Sequence, residues 1–590
     1  MTISRSGEAE LTLRAIATGT LLGAVLSLCN IYSGLRIGWG FNMSITAALL
    51  GWGFWRMVTA ATRKPMLTKL ENNLNQTGAS AGASISSAGL VSAIPAMTML
   101  TGQQLSYLEL ALWTGVIGMT GVTVGIALRR QMIEVDKLPF ASGIASAETL
   151  DKMYAAGADA ASKVRALVGA GAIAGALKAV LHYGKVSAIA LPGSLSLGGR
   201  QASMMNLTVA LDPSPLMIAV GSLGSVRTGF TMLAGSIFSW LVLGPYVIAQ
   251  GWADAGSEDP SVSWFGPMVR WLLWPGVAMM VTSSLTTVAF SWRSIVRTFT
   301  GGKVSDGEAA ESASTVDEVP RNHFIALLAT ITLLAIIGQV VLFGIAWWAA
   351  LIGVVLSFIL AAVAGRVSGE TAITPVGAMG KVTQAAFAVI APGNATANLM
   401  AANVTGGAAS QCADLLHDLK AGALLGASPR RQAIAQSAGV IGGALAGSAA
   451  YLVLVPDPVN QLMTDAWPAP AVATWRAVAE LFAQGISSMP PGALEAMAIG
   501  GSVGILLAIL EKTLPKKAAA FVPSPASLGL AFTIQAWTSF SLFAGSMLGW
   551  VLRRYKPEWS EKYLTVAASG VIAGESLVGV AIAVHALLGG

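Results

Sequence analysis

The chain is a succession of apolar stretches, each about 20 residues long and almost free of charge, and this leaves few folds open. One helix of that length crosses the ~30 Å hydrocarbon core of a bilayer. The stretches are residues 11–30, 41–58, 74–100, 108–128, 165–182, 228–250 and 271–292. They continue with 324–343, 345–364, 434–455, 493–510, 534–552 and 564–587. Between them lie apolar segments interrupted by glycine and proline, at 138–150, 187–226, 371–427, 475–490 and 521–533. Some of these read as short spans or half-helices, so the pattern predicts an all-α polytopic membrane protein with about 14–16 crossings. Charged residues are 11% of the chain, against about 25% in soluble domains. A soluble chain of this size has too few charges here to cover its surface. The 66 glycines suit close helix contact in lipid, where the hydrophobic effect no longer drives helices together.

The net charge of +6 is dispersed in short clusters between apolar segments and is no nucleic-acid footprint. Segments 56–69, 129–137, 293–321, 512–517 and 553–562 carry the Lys and Arg residues, whereas 101–108, 251–264 and 455–474 carry none. Positive loops stay inside, which places the N-terminus in the cytoplasm. The first apolar run follows Glu8 and Glu10 and lacks a small-residue cleavage pattern, so it reads as a span rather than a leader. The two cysteines, Cys29 and Cys412, lie in apolar surroundings and form no CxxC motif.

The most polar stretch, TGGKVSDGEAAESASTVDEVPRN at 300–322, reads as a disordered linker. It divides the chain into halves at 1–299 and 323–590, and the halves share blocks. Pro213-Ser214-Pro215, Phe230 and Gly235 to Trp240 match Pro523-Ser524-Pro525, Phe540 and Gly545 to Trp550 at one constant spacing. Ser283-Ser284-Leu285 resembles Glu575-Ser576-Leu577 in the following span. With both halves taken to start and end on the positive side, the repeat reads as parallel, with its axis along the membrane normal.

Charge and amide groups are costly in a bilayer, so those inside spans are functional candidates. The third span opens with Glu71, Asn72, Asn75, Gln76, Thr77 and Ser80 in adjacent helical stripes. These either hydrogen bond a polar solute or, for Glu71 and Asn72, cap the helix. In LPFASGIASAE (138–148), Ser142 is polar and Glu148 is the one acid, with Lys152 as an alternative surface partner. The richest region holds Gln384, Asn394, Asn398, Asn403, Gln411, Asp414, His417 and Asp418 around the helix breaker Pro392-Gly393. A break there frees backbone groups to face a solute. Asp414, His417 and Asp418 share one helix face, yet Asp418 and Lys420 read more readily as pinning a cytoplasmic helix end, and no metal site is assigned. Glu575 lies mid-span with no basic residue within a turn, which suits a proton-coupling acid or a neutral structural carboxyl. No Walker loop, HExxH or GxSxG signature occurs, so the chain reads as no enzyme and carries no resident cofactor.

Several motifs resemble the oligopeptide transporter family, which includes the yellow-stripe-like metal-chelate carriers. They are NIYSGLRIGW (30–39), ENNLNQTGASAGAS (71–84), IPAM (94–97), LPFASGIASAE (138–148), GETAITPVGAMGKVTQ (369–384), DLKAGALLGASPRRQAIAQ (418–436), FVPSPASLGL (521–530) and ASGVIAGESL (568–577). They run over nearly the whole chain in family order. The resemblance implies about sixteen spans and secondary uptake of small peptides or peptide-like metal chelates, driven by a proton gradient. Polar residues of the matched segments are then the substrate candidates, and Glu575, Glu148, Glu71, Asp414 and Asp418 the proton-coupling candidates. A passive channel and an intramembrane enzyme are the rival classes. Partners are the solute and the lipid bilayer, with a homo-oligomer left open.

Overall fold

The computed structural model describes residues 2–3, 9–38, 40–155, 157–186, 188–197, 200–293, 296, 317–371, 374–486 and 489–588 of the 590. Most of the 300–322 linker lies outside the described residues. The protein is built of helices, and its few strands are short two-stranded ladders. Among the described residues, eleven segments are long and apolar enough to cross a bilayer.

The first half contains α1 (Leu13–Ile37), α2 (Ser44–Thr62), α3 (Lys69–Ala83), α4 (Ala93–Thr101), α5 (Tyr107–Arg129), α6 (Ala141–Ala155) and α7 (Gly157–Tyr183). After two antiparallel ladders between Ile189 and Leu211 come α8 (Pro215–Leu223), α9 (Val226–Ser236), α10 (Gly244–Ala249) and α11 (Phe265–Phe290). The second half contains α12 (Arg321–Phe343), α13 (Trp347–Thr371), α14 (Val376–Ile390), α15 (Ala395–Leu425) and α16 (Pro429–Leu454). It ends with α17 (Pro470–Gln484), α18 (Ala493–Thr513), α19 (Pro525–Leu530), α20 (Ala536–Tyr555) and α21 (Thr565–Leu587). Helices α2, α15 and α20, of 19, 31 and 20 residues, are long enough to cross although they fall outside the eleven.

Local chemistry explains the breaks. Each Pro-Ser-Pro places proline at the first turn of a short helix, where its missing N–H costs nothing. The break at Pro392-Gly393 is confined to residues 391–394, with Gly393 at φ 74° and Asn394 accepting from the Ala397 N–H as N-cap. The chain breaks at Pro392-Gly393 as the sequence suggests, and helix α15 then runs unbroken for 31 residues past Asn398, Asn403 and Gln411.

Helices approach through glycine. A Cβ on Gly439 would strike the Gly78 carbonyl, which locks α3 against α16. Pairs Gly171–Gly574 and Gly175–Val578 align α7 and α21 in the same direction. Pro275–Gly500 and Met279–Gly504 do so for α11 and α18.

The matched blocks of the repeat run in opposite directions. Arg227, at the start of α9, donates to the Val522 carbonyl, and Phe230 meets Phe543 edge-on. Further along, the Trp240 indole donates to the carbonyls of Ala531 and Ile534, just before α20 begins. Moving forward along α9 therefore means moving backward along α20. An axis along the membrane normal would make these helices parallel, so the parallel reading is corrected. The matched segments have the inverted relation.

Candidate functional site

A cavity of about 510 Å³ lies where the C-terminal end of α1 meets α8, α9, α11, α14, α17, α19 and α20. Both short proline-led helices contribute to its wall. Its lining is mostly aliphatic, glycyl and hydroxyl, with one charge, Lys381. The Lys381 side chain is buried. Its ammonium sits 4.4 Å from the centre of the Trp475 ring and donates to Gln384 Oε1 at 2.9 Å. Among the described residues it has no carboxylate partner. A cation over an indole face gains about 0.5–2 kcal/mol, far less than burial of a lone charge costs. Carrying its charge, Lys381 would gain from an anion in this cavity.

Two amides hold the lysine in place. Gln384 donates to Asn398 Oδ1 at 3.0 Å and to the Trp475 carbonyl at 3.3 Å. Asn398 in turn donates to the Gln384 carbonyl at 2.6 Å. Gln384 and Asn398 thus belong to this site, as positioning groups behind Lys381. Sequence reasoning singled out Gln384 in the same motif and passed over Lys381 and Trp475. The available signal was a lysine inside an apolar helix with no acid within a turn.

A second polar cluster lies where α2, α3, α15 and α16 meet. Gln76 donates to Asp418 Oδ1 at 2.5 Å, and Ser44 bonds the same oxygen at 3.4 Å and Ser80 at 3.0 Å. Gln432 reaches the Asp418 carbonyl at 2.8 Å and Thr77 at 3.3 Å. Asp418 is 1% exposed and its Oδ2 has no hydrogen-bond partner. It does not pin a surface helix end. That role falls to Arg431, paired with Glu10 at 2.7 Å, and to Arg430 and Arg431 beside Asp317. Asp414, half-buried, is bonded by Ser84. His417 turns away to Ser368, 3.0 Å from its hydroxyl.

Other candidates hold helices together rather than line a cavity. Asn72 donates to the Ala48 carbonyl, and Asn75 to Asn72. Asn403 accepts from the Trp113 indole at 2.9 Å, and Gln411 donates to the Ala81 carbonyl at 3.0 Å. Asn394 is an exposed cap. Ser142 is half-buried on α6, away from the cavity wall. Glu71 completes a capping box with Thr68 and takes a two-pronged bond from Arg14, at 2.7 and 2.5 Å. Glu148 is 63% exposed and faces Lys152 at 3.8 Å. Neither acid lines the Lys381 cavity. Glu575 is fully buried: Oε1 accepts from Ser214 at 2.6 Å and Oε2 from the Leu216 N–H at 2.9 Å. It is the N-terminal cap of α8, supplied by another helix.

A multi-pass helical membrane protein whose short, proline-led helices meet around a central cavity has the architecture of a carrier. The OPT oligopeptide transporter family model matches residues 10–586, and the chain belongs to that family. A putative oligopeptide transporter of Saccharomyces cerevisiae is 25% identical, over 97% of this chain and 95% of that protein. A putative oligopeptide transporter of Haemophilus influenzae is also 25% identical, over 94% and 92%. A metal-nicotianamine transporter of Arabidopsis thaliana is 24% identical, over 96% and 92%.

Proposed function

We propose that this transporter is a secondary carrier taking up small peptides or peptide-like metal chelates with protons, across a bacterial plasma membrane. The observation that carries the reading is Lys381, a buried lysine with no carboxylate partner among the described residues, in a cavity bounded by both proline-led helices. Peptides and amino-acid-derived chelates share a carboxylate, the group such a site lacks. Relatives named for oligopeptides and for metal-nicotianamine support the same solute classes. The family's named activities are transport, which argues against an enzyme.

The positive segments face the cytoplasm, with the N-terminus inside. The halves 1–299 and 323–590 work together around the Lys381 cavity, joined by the linker at 300–322. Asp418 is the first choice for the coupling proton, since it is buried with a free oxygen and no cation beside it. Glu575 is the second, because loss of its charge would loosen the cap of α8.

The test is uptake by proteoliposomes of tripeptides and of iron or nickel nicotianamine under an imposed proton gradient. Accumulation of either class above its equilibrium level supports the reading. Rapid equilibration without accumulation would identify a channel instead.

A further inference from the structure

We propose that a second cavity, at the N-terminal end of α8, binds the zwitterionic form of the solute, with Arg36 and Lys178 holding a carboxylate and Asp212 and Asp465 holding an ammonium. The proposal rests on the transport reading above and adds a loading site to it. The cavity measures about 480 Å³ and all four residues line it. That volume falls in the range of small-molecule sites, about 300–1,000 Å³.

Its charges of both signs interact at longer range, Arg36 with Asp212 and Asp465, without direct pairing. Among the described residues, none of the four forms an ion pair. Asp212 accepts only the local Ser214 N–H at 2.9 Å, and Asp465 accepts the Ser263 hydroxyl at 2.9 Å. Arg36 donates one Nη1 bond to the Ala466 carbonyl at 2.7 Å, while its Nε is buried without a partner. The Lys178 ammonium stands 6.0 Å from the Tyr32 ring. Three cations, Arg36, Lys178 and Lys185, and two acids stand around one concavity, none in a direct ion pair among the described residues, and match a ligand with both charges at separated ends. A surface region with no ligand would gain by pairing them directly.

The position fits a route. Ser214, ahead of α8, lines this cavity, whereas Val220 to Ser225, at the other end of α8, line the Lys381 cavity. Helix α8 thus joins the two cavities end to end, and Glu575 pins it at its first turn.

The experiment measures binding of trialanine, N-acetyl-trialanine and trialanine amide to the full chain in nanodiscs by calorimetry. Wild-type protein should bind free trialanine about tenfold more tightly than either blocked form. Lys178→Gln should weaken free trialanine and the N-acetyl form about tenfold and leave the amide unchanged. Asp465→Asn should weaken free trialanine and the amide and leave the N-acetyl form unchanged. Lys178→Arg should restore binding, and unchanged melting temperatures separate these effects from misfolding. The proposal is overturned if both variants bind trialanine as wild type does, or weaken all three probes equally. If wild-type protein binds neither trialanine nor iron nicotianamine, the transport reading itself fails, and this site with it.

Discussion

The two cavities at the ends of α8 differ in how their charge is balanced. The Lys381 cavity is apolar with one ammonium, clamped by Gln384 and Trp475 and buried from water. The other presents Arg36, Lys178, Asp212 and Asp465 together. A lone charge in an apolar wall is costly until a ligand arrives, so it favours one solute group strongly. Mixed charges in a wetter pocket recognise the whole ion pattern at modest gain. The contrast teaches that one transporter can divide its work between reading a solute and committing to it.

The largest effect should come from Lys381→Met. Removing a desolvated charge that pairs with ligand costs several kcal/mol, so uptake should fall about 100-fold, while trialanine binding by the charged cavity survives. Loss of both would merge the two cavities into one site, and a calorimetric titration beside the uptake assay reads the difference. Glu575→Ala should come next. It strands the Ser214 hydroxyl and the Leu216 N–H in a buried position, which costs about 1–3 kcal/mol and lowers the melting temperature.

Trp475→Leu keeps the apolar wall and removes the indole face. The apparent KM should rise about three- to thirtyfold, the equivalent of one cation–π contact. Glu575→Gln and Asp418→Asn sharpen the assignment of the proton, because each keeps its shape and loses its charge. The variant whose uptake no longer varies with external pH names the coupling acid, and unchanged pH dependence in both removes both. Glu148→Gln should change uptake and stability within about 0.5 kcal/mol, since its pair with Lys152 is exposed.

Much of the membrane architecture was legible, because a 20-residue apolar run has one physical use. The capping of α3 was legible too: Thr68 three residues before Glu71 is a capping-box pattern, and Glu71 adopts it. Direction was not. Similarity between Gly235–Trp240 and Gly545–Trp550 says that two segments fold alike, and nothing in it says which way each points. Asn403 and Gln411 looked like solute ligands because an amide bonding a neighbouring helix and one bonding a solute are the same residue in the same apolar stretch. Lys381 escaped notice for the opposite reason: its meaning depends on the absence of an acid in space, and sequence shows only the absence along one helix.

The central claim is that Lys381 receives the carboxylate of a solute moved uphill by the proton gradient. The direct measurement is trialanine and iron nicotianamine accumulation in proteoliposomes with an acidic exterior, for wild-type protein and Lys381→Met. The account predicts accumulation of at least one of them above equilibrium by wild-type protein, abolished by the substitution in protein of unchanged melting temperature. Equal accumulation by both proteins, or equilibration without accumulation by either, would contradict it.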